Sequence, residues 1–172
     1  MKKKLMAMAV ALLATTAASA QFEQGKTYIG GSLTGLNASY SGSDKFCLGI
    51  QAQGGYFVAD DIMLYGQVGY DHNGNKEIKD RYSVGVGGRY YFNKIGVFLG
   101  ADGIYLGANC KLVHKGKKFN DVMPGVEVGY AFFVNNTVTV EPAIYYEQSF
   151  KNHKDYSTIG LRIGVGVYLF KE

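Results

Sequence analysis

Four ionisable side chains stand apart in this sequence. Arg162, Glu127, Glu141 and Asp102 lie within glycine-rich, β-prone runs, away from the polar stretches that carry most of the other charges. A guanidinium beside several carboxylates can form a buried ion cluster, a charged gate, or a carboxylate pair for acid–base work. An isolated charge in a low-dielectric interior is costly, so these groups should pair with one another. A cluster that fills an interior is favoured over a gate or a catalytic pair. Arg162 is expected to be the only cation there. It should reach across Ala143 to Glu127, with Glu141 diagonal and Asp102 alongside.

The three histidines, His72, His114 and His153, fall in polar stretches read as loops. Nucleophilic catalysis needs its nucleophile and base within about 3 Å, and no His, Ser and acid share a strand end. Solvated loop histidine is favoured over a metal site, and no cofactor is implied. Lys111, His114, Lys115, Lys117 and Lys118 make a basic stretch at about 108–121, read as a solvated loop that can meet anionic surfaces. Cys47 and Cys110 are the only cysteines. A bond between them requires Cα atoms within about 7 Å, so it is a possible disulfide only if a loop folds over. The Gly85-x-Gly87-Gly88 and Gly164-x-Gly166 clusters precede no helical pattern, so they are not phosphate loops.

The elements that must hold these residues are strands. The chain has 172 residues, 24 glycines, 14 tyrosines and 2 prolines. That suits many strands in one domain. No three-residue glycine period runs through it, which excludes collagen. Beyond the first 20 residues no apolar stretch is long enough for a transmembrane helix.

Those first residues read as a secretory signal: Lys2 to Lys4, an apolar run from Leu5 to Ala14, and Ala18-Ser19-Ala20 as cleavage site. The expected division is 1–20 signal peptide and 21–172 a single mature domain, cut between Ala20 and Gln21. Losing three lysines with the signal leaves the mature chain close to neutral. The basic character is therefore no evidence for nucleic-acid binding.

Three segments repeat an aromatic–turn–β pattern, at Gly55–Leu64, Arg89–Val97 and Gly129–Val138. Short turns alternate with longer polar loops. Eight strands are expected at about 26–36, 46–58, 62–70, 81–92, 95–107, 122–133, 137–150 and 156–170. Period-two alternation is clearest in the last. Leu161, Ile163, Val165, Val167 and Leu169 share one face, and Arg162, Gly164, Gly166 and Tyr168 the other. The seventh run opposes Val138, Val140, Pro142 and Ile144 to Thr139, Glu141, Ala143 and Tyr145. The fourth opposes Val84, Val86 and Tyr90 to Gly85, Gly87 and Arg89. The continuous apolar face suits lipid, and the glycine, tyrosine and single-ion face suits the lumen of a small barrel. Val165→Arg should therefore impair assembly far more than Gly166→Ser. Phe57, Tyr65, Tyr91, Phe98, Ile104, Tyr145 and Tyr168 take the inward parity. Pro142 cannot donate to a ladder, so a bulge or broken pair is expected there.

With these features, the terminal Gly164-Val165-Gly166-Val167-Tyr168-Leu169-Phe170, and the segments Pro124–Tyr130 and Val140–Ala143, the chain resembles the small outer-membrane β-barrel family. That family includes the OmpA transmembrane domain and OmpX-type proteins. The resemblance implies an all-β, eight-stranded antiparallel up-and-down transmembrane barrel in the outer membrane of a Gram-negative bacterium. It implies outer-membrane lipid and lipopolysaccharide as surroundings, and the barrel-assembly machinery as a partner during insertion. A monomer is expected. The family usually ends on an aromatic residue, whereas here Lys171 and Glu172 follow Phe170. A structural or surface-interaction role, without enzymatic activity, is favoured. The alternative is a small porin-like conduit for ions or small apolar molecules. A lipid-modifying enzyme lacks its triad, and a lipocalin-like soluble barrel would need the alternation turned inside out.

Overall fold

Alternation of this kind can close into a wall only if each run finds two neighbours. The computed structural model describes residues 22–34, 47–73, 80–92, 103–115, 119–151 and 157–169. Within them lie β1 (Thr27–Thr34), β2 (Cys47–Ala59), β3 (Ile62–Asn73), β4 (Arg81–Phe92) and β5 (Ile104–Lys115). They are followed by β6 (Phe119–Tyr130), β7 (Phe132–Phe133), β8 (Val138–Glu147) and β9 (Thr158–Leu169). From β1 to β6 each strand pairs antiparallel with the next, β8 pairs with β9, and β9 pairs back onto β1. β6 and β7 both pair with β8 and form one stave interrupted at Ala131. The result is a closed barrel of eight staves without an open edge.

The interruption lies at Pro142. Pairing of β6 with β8 runs from Gly125↔Glu147 to Gly129↔Ala143 and resumes at Phe132↔Val140. Tyr130, Ala131, Glu141 and Pro142 are left out of that ladder, while on the opposite side of the stave Ala131 N donates to Gly103 O at 2.9 Å. A proline has no N–H to offer, so the broken pair stands where its ring does.

The apolar parity faces outward. Ile163 and Val165 are about half exposed, at 48% and 51%, whereas Arg162 and Tyr168 are each 2% exposed. Exposed aromatics ring both ends. Tyr56, Tyr90 and Phe132 lie toward the short turns, Tyr82 and Phe150 toward the long loops. Such girdles mark the two interfaces of a membrane.

The abundance of tyrosine and glycine has a packing cause. Inward tyrosines lie flat over glycines of the neighbouring strand. A Cβ on Gly87 would stand 2.6 Å from Tyr65 Cζ, and one on Gly160 2.7 Å from the Tyr145 hydroxyl. Tyr105 lies over Gly129 in the same way. Gly166 is equally closed, since a Cβ there would meet Glu141, Tyr28 and Thr139. Gly166→Ser is thus not the tolerated lumen change expected from alternation alone.

The fifth strand departs most from expectation. It runs Ile104–Lys115, not 95–107, and β6 begins at Phe119. The basic stretch at 108–121 is therefore mainly a hairpin. Within it Cys110 and Leu112 point outward, while Lys111 and Val113 point inward. Its charges masked this alternation. In consequence Tyr105, not Ile104, is the buried residue, and Phe98 lies outside the described residues.

Candidate functional site: an ionic ladder in the lumen

Among the described residues, inward parity joins six ions into one connected set, with Asp121 of β6 held apart from them by Ser149 and Lys151. Arg89 comes from β4, Lys111 from β5, Glu127 from β6, Glu141 and Glu147 from β8, and Arg162 from β9. Three cations face three carboxylates, so the set can be charge-balanced.

Arg89 is the centre. Its Nε donates to Glu127 Oε1 at 2.7 Å, Nη1 to Glu141 Oε2 at 2.9 Å, and Nη2 to Gln53 Oε1 at 3.0 Å. Its guanidinium also lies over Tyr105 at 4.4 Å, Tyr65 at 5.2 Å and Tyr28 at 5.6 Å. Arg162 Nη1 donates to the other oxygen of Glu127. Its Nη2 stands 3.7 Å from Glu147, which Lys111 also holds. Glu141 is completed by neutral donors: Tyr28 OH at 2.9 Å, Thr139 Oγ1 at 2.8 Å and Tyr168 OH at 3.0 Å. The ions thus form a ladder across the lumen, Glu141–Arg89–Glu127–Arg162–Glu147–Lys111. Buried charges hold only when paired and hydrogen-bonded, and these nearly all are.

Several expectations change here. Arg162 does contact Glu127, but it is not the only lumen cation. Arg89 shares the face of Gly85 and Gly87, so its parity was visible in the sequence. It is the residue that binds both Glu127 and Glu141. Lys111 was hidden in the stretch read as loop. Glu127 stands opposite Tyr145, not Ala143, and Arg162 is the residue opposite Ala143. Phe133 pairs with Thr139, so the connection is centred on Asn136, and the register stands two residues from the expected one. Asp102 lies outside the described residues, as do Ala20 and Gln21.

Cys110 is free and sits on the outer face of β5. Two strands separate β5 from β2, where Cys47 begins, so no Cys47–Cys110 bond forms in this structure. The side chain of Cys47 lies outside the described residues. His72 Nδ1 meets Asp80 Oδ1 at 2.8 Å, and Tyr70 OH donates to Asp80 Oδ2 at 2.7 Å. His114 Nδ1 lies 2.6 Å from Asn120 Oδ1. Both histidines are on the outer face near the long loops, and His153 lies outside the described residues. Among the described residues no three His, Cys, Asp or Glu gather to hold a metal.

A closed eight-stave wall, lipid-facing outside and ion-filled inside, defines a small transmembrane β-barrel. The sequence matches the family model described as outer membrane protein beta-barrel domain over residues 6–168, and the chain belongs to that family. Three solved structures share its fold. The N-terminal β-barrel domain of OprF from Pseudomonas aeruginosa has TM-score 0.62 and 15% identity, covering 85% of this chain and 98% of that one. Neisserial surface protein A has TM-score 0.62 and 17% identity, covering 83% and 95%. Ail from Yersinia pestis, in a bilayer nanodisc, has TM-score 0.53 and 14% identity, covering 85% and 100%. No curated protein matches the sequence significantly.

Proposed function

We propose that this chain is a non-enzymatic outer-membrane barrel with a structural and surface-contact role, its lumen closed to ions. The ladder from Glu141 to Lys111 carries the reading, because it crosses the lumen and satisfies its own charges. The space beside it is small. A polar cavity lined in part by Gln51, Asp71, Lys111, Tyr145 and Glu147 holds about 30 Å³. That is room for only a few water molecules. An eight-strand barrel has a bore just wide enough for side chains to fill.

In this reading the signal peptide is cleaved between Ala20 and Gln21, and the barrel-assembly machinery inserts the mature chain as a monomer. The outer face meets lipid, and the long-loop end meets lipopolysaccharide and other surface partners. Planar-bilayer recording of refolded protein tests the closed lumen. The expected trace shows no steady unitary steps. Steady steps from the unaltered protein would replace this reading with the small conduit.

A further inference from the structure

The lumen changes character along its axis. Toward the long loops it is lined by amides and ions, among them Gln51, Gln67, Asn109, Lys111 and Glu147. Several buried polar atoms of this half, Gln67 Nε2, both amide atoms of Asn109 and Arg162 Nε, have no hydrogen-bond partner among the described residues. Toward the short turns the buried side chains are mainly rings: Phe57, Tyr91, Tyr105 and Tyr168, with Phe133 against them.

Into those rings comes a side chain that is not part of the wall. Phe22 is 1% exposed. It stacks on Tyr91 at 4.2 Å and meets Phe133 at 5.5 Å and Tyr168 at 5.6 Å edge-on. It is carried by residues 22–26, which precede β1 and cross the short-turn mouth. This strap is tied to the β2–β3 hairpin. Asp61 N donates to Phe22 O at 2.8 Å, Gln24 N to Asp60 Oδ1 at 2.8 Å, and Gly25 N to Phe57 O at 2.9 Å. Gly25 takes φ 91°, a left-handed conformation that lets the strap turn back over the opening.

We propose that Phe22 is the cork of a second seal. The strap closes the short-turn mouth independently of the ionic ladder, and the loop-side half is left as a blind polar well. The inference rests on the closed-lumen reading above. The wall tyrosines are fixed by strand pairing on both sides. Among the described residues, Phe22 is held by ring contacts and a few hydrogen bonds from its strap to one hairpin. Its withdrawal breaks no stave of the barrel, so this is the element that opens locally.

Thiol accessibility tests it. In a Cys47→Ser, Cys110→Ser background, Ala131→Cys places a thiol in the ring-lined floor, where Ala131 is 1% exposed. A small water-soluble methanethiosulfonate should label it slowly while Phe22 is present. Phe22→Ala should raise the rate about tenfold or more, by opening the floor locally. Folded gel mobility should be unchanged, and Phe22→Leu should restore most of the protection. Rates that do not respond to Phe22→Ala overturn the cork, and so does fast labelling with Phe22 in place. Met63→Cys reads the same floor if the Ala131 variant does not fold. In bilayers Phe22→Ala alone should stay silent, because the ladder still closes the lumen. Steady steps from Phe22→Ala alone would uphold the cork while removing the ladder as a seal.

Discussion

Glu127 accepts from two guanidiniums at once, and Glu141 from one guanidinium and three hydroxyls. This asymmetry ranks the substitutions. Arg162→Ala leaves Glu127 bonded to Arg89. Arg89→Ala removes the only guanidinium on Glu141 and one of two on Glu127. Breaking a buried pair costs about 3–5 kcal/mol, and Arg89→Ala should lie at or above the top of that range. Arg162→Ala should cost less. Urea unfolding of refolded protein measures both, and the reverse order would refute the ladder as drawn. Adding Glu127→Gln to Arg162→Ala should recover part of the loss, with a coupling of about 0.5–3 kcal/mol. Strict additivity would mean that Arg162 and Glu127 do not interact.

At the scale of single elements, β9 shows how strongly parity constrains the chain. Its outward residues touch lipid and its inward ones touch the ladder. A charge on the lipid face of a barrel costs about 2–4 kcal/mol at mid-membrane. Val165→Arg should therefore reduce the folded fraction sharply in a refolding gel assay. The fit of Gly166 against Glu141 and Tyr28 makes it a poor inward control. Gly164 is better, since a Cβ there would come no closer than 3.3 Å to Ser32 Cβ. Gly164→Ala should fold nearly as well as the unaltered chain. Equal damage from Val165→Arg and Gly164→Ala would contradict the assignment of the two faces. Pro142 shows the converse. An element tolerates a missing donor where its partner stave is already interrupted, and β6 and β7 separate at that level.

For the molecule as a whole, closure is the decisive property. Eight short antiparallel staves have no free edge once β9 meets β1, so unfolding should be cooperative and resistant to detergent. Refolded protein should show a β-rich circular dichroism spectrum and a heat-dependent shift between two gel bands. Substantial helix, or a single band at both temperatures, would argue against a closed barrel. The interior is layered from a ring-lined floor through the ion ladder to an amide-lined upper half. Contacts are spread over all these layers, so loss of one should loosen the barrel before it unfolds it.

The sequence alone determined the class of wall. Period two in the runs around Val84, Val126, Val138 and Leu161 already separates a lipid face from a lumen face, because a strand can only alternate. Pro142 likewise announced a broken pair, since a missing N–H is a local property. The tertiary structure decided who meets whom. Register depends on where a turn is centred, and pairing of Phe133 with Thr139 about Asn136 sets Glu127 opposite Tyr145 rather than Ala143. Charge pairing depends on strands distant in sequence. Arg89 lies 38 residues from Glu127 and 52 from Glu141, and no spacing rule links them. Lys111 looked like loop because charge and alternation conflict there, and only burial beside Glu147 resolves the conflict. Phe22 carries no periodic signal at all. Its place against Tyr91, Phe133 and Tyr168 is set by the fit of one ring among others, by shape rather than by pattern.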